Sequence, residues 1–422
     1  MTYIYYIMMA VILVLGFLLS YKGQTKRKNL ILLGVSLVML AGVAAIRYEV
    51  GDDYYNYMMI YNLINDMPLS QFFTYNYEPG FFLWCKFIQL FTANFQWFYA
   101  ASAIATTALV FWFIYKESKL PVLSAYLYMS MMFYYWSLSL MRQIFAASIC
   151  VLSVKYIREK KFIPFLFIVL LAASFHKSAL ILLPVFFIAQ IKFNWKSVSV
   201  LGGIALICFI FAPTVMQFVV KALNISSYTD VSKYAQGSSL VYGIFPTLVF
   251  IAAWCFKKKL LDQDPTNNVY LNLMFYAAVI SLFIARVFIV ERFAVYCFLP
   301  AIVLLPNMVM TLQAPQEKLK AIADAKAEQK QLKGTALKVK QQELARLSGE
   351  VKDSRAFFGF AAGCVIVLTL FYHLFGFSNN FYKVKDYQTI FNKQPTAKFS
   401  AQRQMNKDYL DSIGYPSYEV KQ

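Results

Sequence analysis

Apolar runs long enough to cross a bilayer recur along nearly the whole chain of 422 residues. The hydrocarbon core of a membrane is about 30 Å thick and needs about 20 apolar residues of helix. Hydrophobic residues make up 60% of the chain and charged residues only 14%, whereas soluble domains are about 25% charged. The sequence therefore predicts an all-α polytopic integral membrane protein.

We predict about twelve transmembrane helices. They are placed at residues 3–20, 29–46, 95–115, 121–139, 142–157, 162–175, 178–192, 197–221, 241–256, 269–288, 292–312 and 356–375. The first run has no basic n-region and no small-residue cleavage site, so we expect a retained span and not a cleaved signal.

The formal net charge of +19 is concentrated in loops between the predicted spans. This distribution is typical of cytoplasmic loops, so we expect contact with the lipid bilayer and no nucleic-acid partner. All basic loops share one side, and both termini lie outside, if residues 80–93 do not cross the membrane. The stretch "GFFLWCKFIQLF" is short for a span and carries Lys86. It predicts an interfacial or re-entrant helix within an extracytoplasmic loop, residues 47–94.

The chain divides by composition into four parts. We expect residues 1–312 to form the membrane domain and residues 356–375 to form the last transmembrane helix. Between them, residues 313–355 are rich in Ala, Lys, Glu, Gln and Leu. We expect a charged cytoplasmic helical insertion interrupted at Gly334, although a solvated linker would have similar composition. Residues 376–422 are expected to form an extracytoplasmic tail.

Charged side chains at membrane depth cost about 2.5–3.5 kcal/mol each, so their presence needs a reason. The predicted topology puts five such groups on the outer face. They are Arg47 with Asp52 and Asp53, Glu78, Arg142 with Gln143, His176 with Lys177, and Arg286 with Glu291 and Arg292.

Each group also has a purely structural interpretation. Asp52 could cap an interfacial helix, and Glu78 would be favourable at a helix start. Arg142 could extend to the headgroups. His176 could be a packing histidine, and Glu291 could neutralise a neighbouring arginine.

Together the five groups place several cations and a few carboxylates around one outer cavity. This combination suits a lipid diphosphate, whose departure as a leaving group needs cationic stabilisation. The pair Asp52 and Asp53 could instead hold a divalent cation with the diphosphate. Because the arginines already supply positive charge, we expect no metal ion and no other cofactor.

The order of five motifs resembles the EpsG-like family of bacterial membrane proteins, relatives of Wzy-type polysaccharide polymerases. The motifs are "RYEVGDDYYNYMMIY", "EPGFFLW", "LMRQIFAASICVLSVKYI", "AASFHKSALILLPV" and "ERFAVYCFLP", and the likeness covers residues 40–305. The family pattern of Arg, Gly, Asp and Tyr maps onto Arg47, Gly51, Asp53 and Tyr54. Its Arg-Gln pair maps onto Arg142 and Gln143. Its Phe-His and Ser positions map onto Phe175, His176 and Ser178.

The resemblance implies a polymerase for O-antigen, capsule or exopolysaccharide in the bacterial inner membrane, with a fold similar to GT-C glycosyltransferases. Donor and acceptor would be glycans on undecaprenyl diphosphate, joined on the outer face, and a chain-length regulator is a possible partner. Under this implication the site residues have three roles. The catalytic candidates are Asp53, His176, Asp52 and Glu78; the diphosphate candidates are Arg47, Arg142, Arg292, Arg286 and Lys177; and the sugar candidates are Tyr54, Tyr57 and Gln143.

Two other functions remain open from sequence. A flippase for lipid-linked oligosaccharide would need comparable charges on both membrane sides. A ligase that transfers the glycan to another acceptor would use the same diphosphate chemistry.

Overall fold

The protein is represented by a computed structural model that describes residues 2–20, 23–70, 77–214, 217–218, 241–287, 290–393 and 397–412. Most of the described residues are helical, and no β-strand occurs among them; an isolated antiparallel bridge joins Arg47 and Thr389. The prediction of an all-helical membrane protein is confirmed. Parts of the predicted span 197–221 and of the tail 376–422 lie outside the described residues.

The helices are numbered in chain order. The first ten are α1 (Tyr3–Ser20), α2 (Lys26–Ala45), α3 (Tyr54–Asp66), α4 (Pro79–Gln89), α5 (Phe95–Glu117), α6 (Pro121–Ser130), α7 (Phe133–Ser139), α8 (Met141–Cys150), α9 (Val154–Arg158) and α10 (Phe162–Ala173). The next ten are α11 (Leu182–Ile188), α12 (Trp195–Ile210), α13 (Val241–Cys255), α14 (Lys257–Gln263), α15 (Asn268–Phe283), α16 (Glu291–Phe298), α17 (Ala301–Met310), α18 (Gln316–Gln329), α19 (Gly334–Ser378) and α20 (Ser400–Ser412). Short 3-10 turns cover Val151–Ser153, Lys177–Ile181, Pro265–Asn267, Phe381–Lys383 and Ala397–Phe399.

Five helical segments in the described part of the chain are long and apolar enough to cross a membrane. They are Tyr3–Ser20, Lys26–Ala45, Phe95–Glu117, Glu291–Met310 and Gly334–Ser378. Four apolar helices are shorter: Phe162–Ala173, Lys177–Ile188, Trp195–Ile210 and Gly243–Cys255. The total of about twelve spans therefore stays a prediction.

Several predicted spans are broken helices. The span 121–139 is divided between α6 and α7 at Met132, whose φ of 72° is left-handed. The span 292–312 is divided at Pro300, which precedes α17 and lacks the N–H needed to continue a helix. The span 178–192 begins with a 3-10 turn before α11. Interrupted backbone at membrane depth is tolerated where protein or a cavity surrounds it.

Charged residues gather at the two ends of the helix bundle. At the Glu117 end of α5, Arg158 pairs with Glu117 and, at 2.7 Å, with Asp264. The opposite end of α5 begins at Phe95, beside the loop that contains "RYEVGDD". Between the ends, large apolar side chains such as Val38 and Phe371 are exposed, as expected where lipid replaces water.

The predicted insertion contains two helices that pack against each other. Lys318 Nζ lies 2.5 Å from Glu350 Oε2, and Lys340 Nζ lies 2.6 Å from Glu328 Oε2, so α18 and α19 pair side by side. The chain turns at Gly334, with a left-handed φ of 63°. No break separates residues 313–355 from the last predicted span, because α19 runs unbroken for 45 residues. The side of the membrane on which this hairpin lies stays a prediction.

Gly51 gives a test of how closely the loop before α3 is packed. Its φ is 103°, and a Cβ there would lie 2.1 Å from the carbonyl oxygen of Leu138. Gly51→Ala should therefore lower the melting temperature of the purified protein, with strain alone costing roughly 1–3 kcal/mol. The matched control Gly359→Ala lies in open space on α19 and should be neutral or stabilising. Equal melting temperatures for the two variants would contradict this packing.

Candidate functional site

The loop of residues 47–53 connects α2 to α3 and carries both aspartates of the first motif. The predicted capping role of Asp52 is wrong. The N-cap of α3 is Asp53, which makes no side-chain cap hydrogen bond. Instead, Asp53 Oδ1 accepts a 3.2 Å hydrogen bond from Asn56, and Asp52 Oδ1 lies 2.8 Å from Nζ of Lys383. Asp52 lies one residue before the N-cap and pairs with a lysine far along the chain.

Glu78 connects three separate parts of the chain. It precedes Pro79 at the start of α4, and its Oε2 accepts a 2.6 Å hydrogen bond from Nη1 of Arg142 on α8. Its Oε1 accepts the backbone N–H of Lys177 at 3.2 Å and lies 3.4 Å from Nδ1 of His176. Three of the five charged groups singled out in the sequence therefore meet at one carboxylate. We call Glu78, Arg142 and His176 the Glu78 cluster.

Aromatic rings surround the guanidinium of Arg142. Its Cζ lies 4.8 Å from the ring centroid of Tyr77, 5.1 Å from that of Phe81 and 6.0 Å from that of Tyr57. The phenol of Tyr57 also accepts the backbone N–H of Arg142 at 3.4 Å. The Nε atom of Arg142 is buried without a hydrogen-bond partner among the described residues. Arg142 thus retains donor capacity that Glu78 does not use.

Burial and neighbouring charges shift the titration of the acidic and basic groups. Burial acts to raise the pKa of Glu78, but the His176 imidazole and the Arg142 guanidinium lower that pKa to about 2. Burial lowers the pKa of His176 even though Glu78 opposes the shift. Burial raises the pKa of Asp53, and the charge of Asp52 raises it further. At neutral pH, Glu78 is therefore ionised and His176 is neutral.

The start of α16 is joined to the Glu78 cluster through α8. The side chain of Gln143 is buried and donates a 3.0 Å hydrogen bond to the backbone carbonyl of Arg292. Ser178 and Tyr296 hydroxyls lie 2.9 Å apart. The Arg292 side chain is exposed and lowers the pKa of both Asp53 and His176. Arg292 and Asp53 consequently lie at the border of the cluster.

Arg47 and Tyr54 occupy a different environment from the Glu78 cluster. Both are 1% exposed. The Arg47 Cζ lies 4.4 Å from the ring centroid of Tyr99, on which Tyr54 stacks at 5.0 Å. Nη1 of Arg47 donates to the carbonyl of Ala44 at 3.2 Å. This arginine holds the end of α2 against α5, and its role in diphosphate binding stays a prediction, as does the sugar role of Tyr54.

The two other predicted cations do not point into the cluster. Nη2 of Arg286 donates to the carbonyl of Ile210 at 3.4 Å, and its Cζ lies 5.8 Å from the ring of Phe209. Arg286 therefore packs against α12. Lys177 joins the cluster through its backbone N–H, and its side chain is exposed. No group of three or more metal-ligating side chains occurs in the part of the chain that the structure describes.

Sequence reasoning missed two contributions to this region. The first is the aromatic surrounding of Arg142 by Tyr77 and Phe81, which directly flank the "EPG" motif. The second is the chain after α19, where Tyr382 donates a hydrogen bond to Glu291 and Lys383 pairs with Asp52. The adjacent Tyr-Lys pair just beyond the last span was the available signal for the second.

The fold and the cluster define a class of protein: a helical membrane protein with a cation- and carboxylate-lined site at one end of its bundle. The EpsG family model matches residues 30–323, so the chain belongs to the EpsG family, a family of Wzy-like polymerases. The expected resemblance is confirmed. None of the curated proteins and none of the solved structures matches the chain.

The Glu78 cluster predicts a pH-dependent stability. The folded-state pKa of about 2 lies below the ordinary value of 4.5, so ionised Glu78 stabilises the fold above about pH 4.5. That contribution is lost as the pH falls toward 2. Glu78→Gln should therefore lower the melting temperature at pH 7, because removing one partner of a buried ion pair costs up to about 3–5 kcal/mol.

The difference between wild type and Glu78→Gln should shrink steadily below about pH 4.5. The control is Asp353→Asn, at an exposed position of α19, which should have the melting temperature of wild type at every pH. A Glu78→Gln difference that stays constant down to pH 3 would contradict the assigned ion pair.

Proposed function

We propose that the protein is a polysaccharide polymerase, a metal-independent membrane glycosyltransferase with a GT-C-like fold. It joins oligosaccharide repeat units carried on undecaprenyl diphosphate at the outer face of a bacterial inner membrane. The observation that carries the proposal is the ion pair of Arg142 with Glu78, in a region where the charges of Arg142 and Arg292 both act on Asp53. This arrangement combines a carboxylate for proton transfer with cations for a diphosphate.

The cations Arg142 and Arg292 would bind the diphosphate as it leaves the sugar. A glycan leaves its lipid carrier when the bond between the anomeric carbon and the diphosphate oxygen breaks. Arg142 donates one N–H to Glu78, and its buried Nε has no hydrogen-bond partner among the described residues. A diphosphate oxygen would accept a hydrogen bond from this Nε, and the exposed guanidinium of Arg292 would bind a second anionic oxygen. Preorganised donors of this kind stabilise the charge that develops in the transition state.

The carboxylate of Asp53 is assigned as the general base. It takes the proton of an acceptor-sugar hydroxyl as that oxygen bonds to the anomeric carbon. The diphosphate leaves with the bonding electrons, and one in-line displacement inverts the anomeric centre. Burial raises the pKa of Asp53, which makes it a stronger base than an ordinary aspartate.

His176 is the second candidate for the base. Its pKa is lowered by burial, so the imidazole is neutral and can accept a proton at pH 7. Glu78 lies 3.4 Å from its Nδ1 and would orient the ring. The Gln143 amide and the Tyr57 phenol are the groups assigned to sugar contact.

The test of the function is product formation. Purified protein in lipid nanodiscs is incubated with a single undecaprenyl-diphosphate repeat unit, and we expect a ladder of lengthened glycans. A single transfer to another acceptor would indicate a ligase. Lipid movement without a new glycosidic bond would indicate a flippase. Either of those two results would overturn the polymerase assignment.

Arg142→Gln should lower kcat by about 10²–10³-fold, because it removes a donor to the developing charge. The matched control is Arg346→Gln, an exposed arginine on α19, which should retain the wild-type rate. Both variants are first checked for a monodisperse elution profile. A wild-type rate for Arg142→Gln would rule out its assigned role.

Asp53→Asn should abolish polymer formation without lowering the melting temperature at pH 7. A raised folded-state pKa means that the ionised carboxylate is less stable in the fold than in the unfolded chain, so removing its charge relieves a cost. Asp324→Asn, exposed on α18, is the control and should leave both quantities unchanged. If Asp53→Asn retains activity and His176→Ala loses it, the role of general base belongs to His176.

A further inference from the structure

The chain after α19 packs onto the loop of residues 47–53. The N–H of Tyr48 donates to the carbonyl of Gln388 at 2.9 Å, and the N–H of Ile390 donates to the carbonyl of Ile46 at 2.9 Å. These bonds flank the bridge between Arg47 and Thr389. Residues 380–393 lie outside the family match, which ends at residue 323. A segment beyond the matched region is therefore paired with the most polar motif inside it.

Two adjacent residues of this segment contact two different carboxylates. Lys383 Nζ lies 2.8 Å from Oδ1 of Asp52, and the Lys383 carbonyl accepts the N–H of Gly51 at 3.3 Å. The phenol of Tyr382 donates a hydrogen bond to Oε1 of Glu291. Asp52 lies in the loop before α3, whereas Glu291 begins α16. The pair Tyr382 and Lys383 thus connects two elements that are distant in sequence.

Each of these two carboxylates lies next to a residue that is assigned to the reaction. Asp52 directly precedes Asp53, the assigned base, and Glu291 directly precedes Arg292, an assigned diphosphate ligand. Holding Asp52 and Glu291 therefore sets the spacing between the base and the cation for the leaving group. A misplacement of about 1 Å in such a pair can slow a reaction about 10²-fold.

The backbone of the segment is held in an unusual conformation. Asn380, Tyr382 and Lys383 have left-handed φ values of 48°, 66° and 52°. Non-glycine residues rarely adopt this region, and such strain concentrates at functional sites, where surrounding contacts maintain it. Here the contacts include the 3.0 Å hydrogen bond from the Lys385 N–H to Asn380 Oδ1 and the packing of Trp136 against the Tyr382 ring, with centroids 6.3 Å apart.

We propose that Tyr382 and Lys383 are positioning residues of the transfer site. They form a clamp that fixes the loop carrying Asp53 relative to the start of α16. This inference rests on the proposed function. Stability alone does not account for the clamp, because a partly exposed ion pair such as Lys383–Asp52 adds little to the stability of a fold.

The clamp also has an electrostatic consequence for the base. Asp53 faces the charges of Asp52, Arg142 and Arg292 and the phenols of Tyr57, Tyr77 and Tyr99. Lys383 offsets the negative charge of Asp52. Without Lys383, the uncompensated carboxylate would raise the pKa of Asp53 further. The acid limb of the rate profile would then move to higher pH.

The test compares Tyr382→Phe, Lys383→Gln and Lys383→Arg with wild type in the ladder assay. We expect Tyr382→Phe and Lys383→Gln to lower kcat about 10-fold or more, with KM changed much less. In Lys383→Gln the acid limb of the rate profile should move to higher pH than in wild type, because a positive charge near Asp53 is removed. Lys383→Arg should restore both quantities. Lys407→Gln, exposed on α20, is the matched control and should behave as wild type.

A second measurement does not depend on activity. Hydrogen–deuterium exchange should become faster in residues 47–53 and in the first turn of α16 together, in both Tyr382→Phe and Lys383→Gln. If wild type makes no polymer, the proposed function fails while the exchange still tests the clamp. Wild-type exchange in both variants would overturn the clamp. So would an active Lys383→Gln with wild-type kcat and pH profile.

Discussion

The structure depends on how a carboxylate is accommodated near the end of an apolar bundle. Glu78 is 9% exposed, and an ionised carboxylate in such a place needs a charged partner and hydrogen bonds. Arg142 and the Lys177 N–H supply them from α8 and from the turn after α10, and His176 Nδ1 lies 3.4 Å from the carboxylate. Removing any of these partners would leave the buried charge of Glu78 uncompensated in a medium of low dielectric constant. The start of α4, α8 and the turn after α10 are therefore held in one arrangement.

The other polar groups of the site lie around the Glu78 cluster. The Tyr57 phenol joins α3 to the backbone of Arg142, and Gln143 joins α8 to Arg292. Asp53 lies within the fields of both arginines. A buried arginine, Arg47, anchors the other end of the loop against Tyr99. The loop is therefore held at both ends, while Asp53 and Arg292 remain near the border, where a lipid-linked sugar would arrive.

Local sequence predicted much of this but not the contacts. Apolar length predicts α1, α2 and α5, and motif order predicts the family, because both depend on residues near each other in the chain. The pairing of Glu78 with Arg142 spans 64 residues and follows only from packing. The predicted cap at Asp52 failed because the helix begins one residue later than expected, with Asp53 at its N-cap. Composition also suggested a boundary at residue 355, but the helix-forming residues of α19 continue across it.

The central claim is that Arg142, held by Glu78, binds the diphosphate of a lipid-linked glycan. Native mass spectrometry can count undecaprenyl diphosphate bound to wild type and to Arg142→Gln in the same detergent. The account predicts at least a tenfold weaker apparent affinity in the variant, about 1.4 kcal/mol of lost binding, with undecaprenol bound equally weakly by both proteins. Equal affinity of the two proteins for the diphosphate lipid would contradict the claim.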